Sequence, residues 1–290
     1  MKKTVFRVAQ KIRDIGQPVW SVKLGRYTVW QYLSRLYYSL PMAPQSVHLP
    51  WGHTLWFPKG FSARLEYLAG NYEPELTQLV KERVRQGMTV VDRGANIGYY
   101  TLLFSHLVGA SGKVYAFEPD PIVYQALLVN VSKNKLPNVE VHECALGRAF
   151  GKAQFRAVGG VSSAFVQDAD ELPNDRVITV PVANLDALLR GRERVDFVKL
   201  DVEGAEVECL EGMREIIAKN PEISVVFEIN SNIVRVGMDE LFEILKELGF
   251  RTIYAIEPHL HIASVDDLLR VFNGVIAQRN RVFNLLCTRH

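Results

Sequence analysis

The chemistry this sequence can offer rests on acids at the ends of apolar runs, with a glycine loop beside them. Asp92, Gly94, Asn96 and Gly98 break an apolar run that begins at Thr89, and a helical pattern with Leu102, Leu103 and Leu107 follows. That order reads as strand, tight loop, helix. A second run, Lys113 to Phe117, ends in Glu118, twenty residues after Gly98. In a parallel sheet its carboxylate emerges beside the loop, where it suits the two hydroxyls of a ribose. The spacing is Gly-x-Asn-x-Gly, not the Gly-x-Gly-x-x-Gly that lets a pyrophosphate approach a helix N-terminus. A nucleoside cofactor without a diphosphate is expected, and S-adenosylmethionine fits: its ribose needs an acid and its amino-acid end needs polar groups at a loop. Asp92, Gly94, Asn96 and Gly98 are assigned to the methionine end and the turn, although the two glycines also have a purely backbone use. The stretch Cys144, Ala145 and Leu146 is expected to flank the adenine, and His142 to approach it.

A second set of acids lies further on. Lys199, Asp201 and Glu203 alternate with Leu200 and Val202, so on a strand they share one face. Asp201 and Glu203 then sit at the carboxyl edge, where open α/β sheets place their ligands. Asp201 is the first candidate for contact with an acceptor or with the cofactor's amino group, and Glu203 is the second. Glu228 and Asn230 extend the cluster, while pairing of Lys199 with one of these carboxylates is the structural alternative. Hard oxygen ligands suit magnesium, but these four residues have no metal-site spacing and no metal is expected. Methyl transfer from a sulfonium needs an aligned acceptor oxygen and a base for its proton. His106, His259 and His261 have no evident partners, and no histidine is given a catalytic role.

The elements that must position these residues form a regular series from about residue 73. Helix 74–85 precedes strand 89–93, helix 97–108, strand 113–118, a helix capped by Asp120 and Pro121 that runs toward Asn134, and a third strand at 139–145. A hairpin insertion near 151–184 interrupts the alternation. It resumes with strand 195–201, helix 205–218, strand 223–229, helix 239–248 closed by Gly249, strand 251–256, helix 265–272 and strand 281–288. Seven strands alternating with helices imply an α/β fold with a doubly wound sheet. Residues 71–290 form this domain, and residues 1–70 form an extension with a helical pattern at Val5 to Ile15, an aromatic stripe at 19–43 and a hairpin around Trp51-Gly52.

Composition narrows the rest. The 290 residues carry a net charge of +2, yet the first fifty hold eight Lys or Arg against Asp14 alone. Such a segment suits an anionic partner or a solvated helix face. Peripheral membrane contact through it is one alternative, and nucleic-acid methylation is another that lacks any base-flipping signature or RNA-binding module. Cys144, Cys209 and Cys287 are far apart and read as buried free thiols. No apolar run has bilayer-spanning length, and Arg7, Lys11 and Arg13 interrupt any signal-peptide core. A reducing cytoplasm is the expected location. The oligomeric state is not readable.

The residues resemble the FkbM family of S-adenosylmethionine-dependent methyltransferases over roughly residues 70 to 230. The likeness rests on six motifs in order: Tyr72-Glu73-Pro74; Val91-Asp92 with Gly94-Ala95-Asn96-Ile97-Gly98; Phe117-Glu118-Pro119; Ala145-Leu146-Gly147; Ser162-Ser163; and Val198 through Glu206. The resemblance implies a seven-stranded Rossmann-like sheet of order 3-2-1-4-5-7-6 with the seventh strand antiparallel, adds Tyr72 and Glu73 to the cofactor site, and implies O-methylation of a sugar or natural-product hydroxyl. A small-molecule or glycan hydroxyl acceptor is therefore expected, with a cofactor-binding relative that has lost catalysis as the rival. Arg93 departs from the pattern, which has a small aliphatic residue there. It needs an acid partner, a water-filled cavity or an open edge.

Overall fold

The structure, a computed structural model, describes residues 23–24, 27–28, 46–58, 67, 72–157, 164–165, 176–191, 194–201, 204–230, 238–256, 260–262 and 282–289. Two short strands, β1 (Lys23–Leu24) and β2 (Tyr27–Thr28), pair with each other. The hairpin of β3 (Ser46–His48) and β4 (Thr54–Trp56) turns at Trp51-Gly52, as its sequence suggests. Then come α1 (Pro74–Arg83), β5 (Thr89–Arg93), α2 (Tyr99–Val108), β6 (Lys113–Phe117), α3 (Pro121–Lys133) and β7 (Val139–His142). The second half holds β12 (Phe197–Leu200), α5 (Glu206–Glu211), α6 (Arg214–Lys219), β13 (Ser224–Asn230), α7 (Met238–Glu247), β14 (Thr252–Ala255), β15 (Leu260–Ile262) and β16 (Val282–Thr288). Between the halves stand β8 (Ala145–Leu146), β9 (Gly151–Ala157), β10 (Ala164–Phe165), β11 (Arg176–Ala183) and the one-turn α4 (Leu185–Leu188).

The main sheet has the order β15-β14-β16-β13-β12-β5-β6-β7. β7, β6, β5, β12 and β13 run parallel, and β16 lies antiparallel to both β13 and β14. Seven of these strands keep the expected order with the seventh reversed, and β15 adds an eighth at the edge. Alternation along the strands divides the core in two. Val90, Val114, Phe197 and Val226 pack with α1 and α2, while Val91, Phe117, Val198 and Val225 pack with α5, α6 and α7. Sheet strands covered on both faces read as nearly continuous apolar runs. Asp92 and Arg93, adjacent on β5, therefore enter opposite layers, and both are buried.

Three local expectations are corrected. The third strand does not run to 145: the N–H of Glu118 meets the carbonyl of His142 at 3.1 Å, and the chain then bends away so that Ala145 and Leu146 pair with β11 in another sheet. The inserted hairpin is thus part of a four-stranded sheet, β10-β9-β11-β8. The helix expected over 205–218 breaks between α5 and α6, where Gly212 lies so close to Gly147 that a Cβ on it would stand 2.1 Å from that residue's carbonyl oxygen. The Gly212 carbonyl instead accepts the N–H of Asp186 at 2.9 Å. The N-terminal helical pattern, the Ser162-Ser163 loop and the helix expected at 265–272 lie outside the described residues.

The β3–β4 hairpin is tied into this frame. Asn130 Oδ1 accepts the N–H of Trp56 at 2.7 Å, and Asn134 Oδ1 accepts that of Thr54 at 2.9 Å. Their amide groups donate back to the carbonyls of the same two residues. A pair of asparagines one helical turn apart on α3 thus supplies the ladder that a neighbouring strand would give, which leaves no open edge there. Val47, Leu49, Leu55 and Phe57 are buried with the α1–α2 layer. No helix among the described residues is long and apolar enough to cross a membrane.

Candidate functional site

The sheet order reverses between β5 and β12, and a cleft opens at the carboxyl ends of these strands, the place where such sheets bind ligands. Its floor is the turn after β5. Phe117 O accepts the N–H groups of both Gly94 and Ala95 at 3.0 Å, and Gly98 donates to Ala95 O at 2.9 Å. Gly94 has φ +75, and a Cβ there would meet the Asp201 carbonyl oxygen at 2.2 Å, so the loop can lie against β12 only with glycine at that place. Gly98, at φ +100, begins α2 and packs on Leu127.

Glu118 sits beside the loop with 4% exposure. Its Oε2 accepts the N–H of Asn96 and its Oε1 accepts that of Asp120, both at 2.9 Å. Burial pushes this carboxyl up to about 7, against the two N–H groups and the nearby Arg93, which favour its charge. Each oxygen retains capacity for a further donor. Arg93 lines the cleft, and its Nη2 lies 3.5 Å from the Leu146 carbonyl. Its charge also favours ionised Glu206. Among the described residues, Glu118 and Glu206 are acids that feel the Arg93 charge.

On the opposite wall is a polar cluster in which Lys199 and Asp92 are buried. Lys199 Nζ donates to Asp201 Oδ2 at 2.9 Å and lies 4.9 Å above the Tyr100 ring. Burial alone would lower the ammonium's pKa, but Asp201, Asp92 and Glu73 outweigh it and raise it. Tyr100 donates its hydroxyl proton to Glu73 Oε2 at 2.8 Å, and Thr101 donates to Asp92 Oδ2 at 2.6 Å. Burial raises the Glu73 carboxyl and pushes Asp92 up to about 6, with Lys199 opposing in both. Glu73 and Asn96 hold φ +42 and +51, a left-handed conformation that asparagine enters readily and glutamate rarely. At Glu73 it costs about 1–3 kcal/mol. Glu73 caps α1 in that posture immediately before Pro74, with its carbonyl accepting the N–H of Thr77.

Of the residues singled out in the sequence, Tyr72, Gly94, Asn96, Glu118 and Asp201 line the cleft. Glu73 stands behind Tyr100, Asp92 is fully buried beneath, and Gly98 serves the turn. Ala145 and Leu146 are not on the lining: they are buried in β8, where the Leu146 carbonyl receives Arg93 and Cys209. Glu228 is half-buried on β13, one strand further from the switch point, opposite Asn284. Glu203 lies outside the described residues. His142 stacks on Phe117 at 4.8 Å and reaches Glu140 at 3.3 Å. Sequence reasoning missed Tyr67, Tyr99, Tyr100 and Phe155, which also line the cleft. Two phenols in the first turn after Gly98, where phenylalanine would pack as well, were the available signal.

Residues 92–252, more than half of the chain, match the family model described as the methyltransferase FkbM domain. The chain belongs to the FkbM methyltransferase family. Methyltransferase sdnD of Sordaria araneosa is 30% identical over 157 residues, 43% of this chain and 60% of that protein. The 31-O-demethyl-FK506 methyltransferase FkbM of Streptomyces tacrolimicus is 28% identical over 206 residues, 60% of this chain and 77% of that protein. The chain spans 60% of the length of the Sordaria araneosa relative and 57% of that of another, methyltransferase 1 of Beauveria bassiana (strain ARSEF 2860). The crystal structure of methyltransferase FkbM from Methylobacillus flagellatus KT has 17% identity and a TM-score of 0.43, covering 77% of this chain and 52% of that one. The residues of the cleft fit S-adenosylmethionine as the cofactor of an FkbM methyltransferase domain. Glu118 has acceptor capacity for ribose hydroxyls, and the acids around Lys199 suit a ligand with a sulfonium and an ammonium charge.

Proposed function

We propose that the chain is an O-methyltransferase whose acceptor is a hydroxyl on a small molecule or glycan, with Asp201 on the acceptor side. The observation that carries this reading is Asp201 itself. It lines the cleft with about one third of its side chain exposed, while its partner Lys199 is buried. A carboxylate held in place by a buried ammonium can receive a hydroxyl's hydrogen bond and orient the oxygen, which is the larger part of what such a transfer requires. S-adenosylmethionine, when bound, supplies a methyl group on a positively charged sulfur. The chain's own residues bind and orient: Glu118 offers acceptors at the ribose, the Gly94–Gly98 turn offers backbone groups, and Phe155 brings an apolar surface from the inserted sheet. The O-methylation named for the Streptomyces tacrolimicus relative supports the same acceptor chemistry.

Asp201→Asn provides the test. Turnover on a hydroxyl acceptor, found by radiolabel transfer into glycan, natural-product and RNA extracts, is expected to fall at least about tenfold, as for loss of a proton acceptor. Cofactor affinity by calorimetry is expected to stay within about twofold, since the variant keeps the shape and the bond to Lys199. Loss of cofactor binding would move Asp201 to the cofactor's amino-acid end. Label appearing only in RNA would replace the acceptor.

A further inference from the structure

Four tyrosines line the cleft, and their rings form one connected group. Tyr67 lies 4.4 Å from Tyr72 and 5.3 Å from Tyr99, and Tyr99 lies 4.9 Å from Tyr72 and 5.3 Å from Tyr100, measured between ring centroids. Beside Lys199 stand the fully buried Asp92 and the half-buried Glu73. A buried charge is expensive to desolvate unless it is paired. Burial raises the carboxyls of Glu73 and Asp92, as expected where positive charge is in short supply. Lys199 already holds its ammonium over one of the rings. The negative ring faces and the buried acids thus act in the same direction, and both favour a desolvated cation.

We propose that Tyr67, Tyr72, Tyr99 and Tyr100, backed by Glu73, form a cation subsite for the sulfonium end of S-adenosylmethionine, so that the cleft prefers the charged methyl donor to the neutral product S-adenosylhomocysteine. This rests on reading the cleft as the cofactor site and adds the basis of discrimination between its two states. The same preference would expel the product once the charge has left with the methyl group.

Calorimetry on the full chain with S-adenosylmethionine, S-adenosylhomocysteine and sinefungin, which carries an amine in place of the sulfonium, tests it. The two charged ligands are expected to bind about tenfold more tightly than S-adenosylhomocysteine, the scale of a desolvated cation–ring contact. Tyr72→Leu is expected to bring that ratio close to one by weakening only the charged ligands, and Tyr72→Phe, which keeps the ring, to preserve it. Tyr67→Leu gives a second reading of the same ratio, and the parent's own ratio needs no variant. Equal or tighter binding of S-adenosylhomocysteine by the parent overturns the proposal. So does parallel weakening of all three ligands by Tyr72→Leu, which would make the wall a packing surface. If none of the three binds, the cofactor reading falls and the proposal with it.

Discussion

Glu118 shows how a single side chain serves both the loop and the ligand. Its two oxygens fasten the backbone at Asn96 and Asp120, and its remaining acceptor capacity faces the cleft. Glu118→Ala is expected to weaken S-adenosylmethionine at least about tenfold, because hydrogen bonds to a charged group contribute about 1.5–3 kcal/mol each; calorimetry measures it directly. The pH dependence follows from a carboxyl raised to about 7 from an ordinary 4.5. Between those values the folded protein holds a proton that the unfolded chain has released. This contribution to stability is complete below 4.5 and is lost as the pH rises through about 7. Cofactor binding has the opposite dependence, since ribose hydroxyls need the ionised acid. Thermal melting is expected to show cofactor stabilisation growing from pH 6 to 8, and a flat response would remove Glu118 from the ribose. Arg93→Leu tests the guanidinium through the same group. Without it Glu118 rises further, so affinity is expected to drop about threefold to tenfold at pH 7 and recover near pH 8.5. No recovery would make Arg93 a direct ligand contact. The acids at strand ends were legible in the sequence because strand alternation and parallel topology leave them few places to go. The tyrosine wall was not, since phenols at helical spacing also satisfy an ordinary core.

At the scale of elements, the breaks carry more information than the regular runs. Periodicity located seven of the eight strands of the main sheet, missing β15, and reads through the α5–α6 junction, because Gly212 has no unusual dihedral and the residues around it are good helix formers. The junction is held by distant partners: Asp186 donates its N–H to the Gly212 carbonyl and accepts the N–H groups of Glu215 and Ile216, and the Gly147 backbone lies against Gly212. Gly212→Ala, which helix propensity alone would make stabilising, is therefore expected to destabilise by about 1–3 kcal/mol, the cost of overpacking, as read by denaturant unfolding. Stabilisation instead would show that the two segments yield easily. Asn130 is the corresponding joint between hairpin and glycine loop: besides Trp56, it donates to the Ile97 carbonyl at 2.8 Å. Asn130→Ala leaves buried partners unmatched at both ends and is expected to cost about 3 kcal/mol. Hydrogen exchange is expected to show lost protection at Trp56 before any change in β12. Such side-chain-to-backbone joints carry no pattern in the sequence.

For the molecule as a whole, the hairpin belongs to the same apolar layer as α1 and α2. Removal of residues 1–43 takes none of the described side chains of that layer and is expected to yield a folded, cofactor-binding protein. Removal of residues 1–58 strips four buried apolar side chains worth about 1.5–3 kcal/mol each. Against a total stability of about 5–15 kcal/mol, it is expected to abolish cooperative melting. Insolubility of the shorter deletion would make the aromatic stripe core. The position of β16 has a consequence for how the protein is made. It comes after β14 and β15 in the chain yet lies between β14 and β13. A ribosome that has delivered every earlier strand has therefore delivered a sheet in two pieces, with the interior edge of β13 exposed. Synthesis of residues 282–288 closes that gap. Until then the nascent chain carries an open strand edge of the kind that recruits chaperones or pairs with its neighbours, so pauses just before residues 282–288 would be more damaging to yield than pauses within the cofactor-binding half.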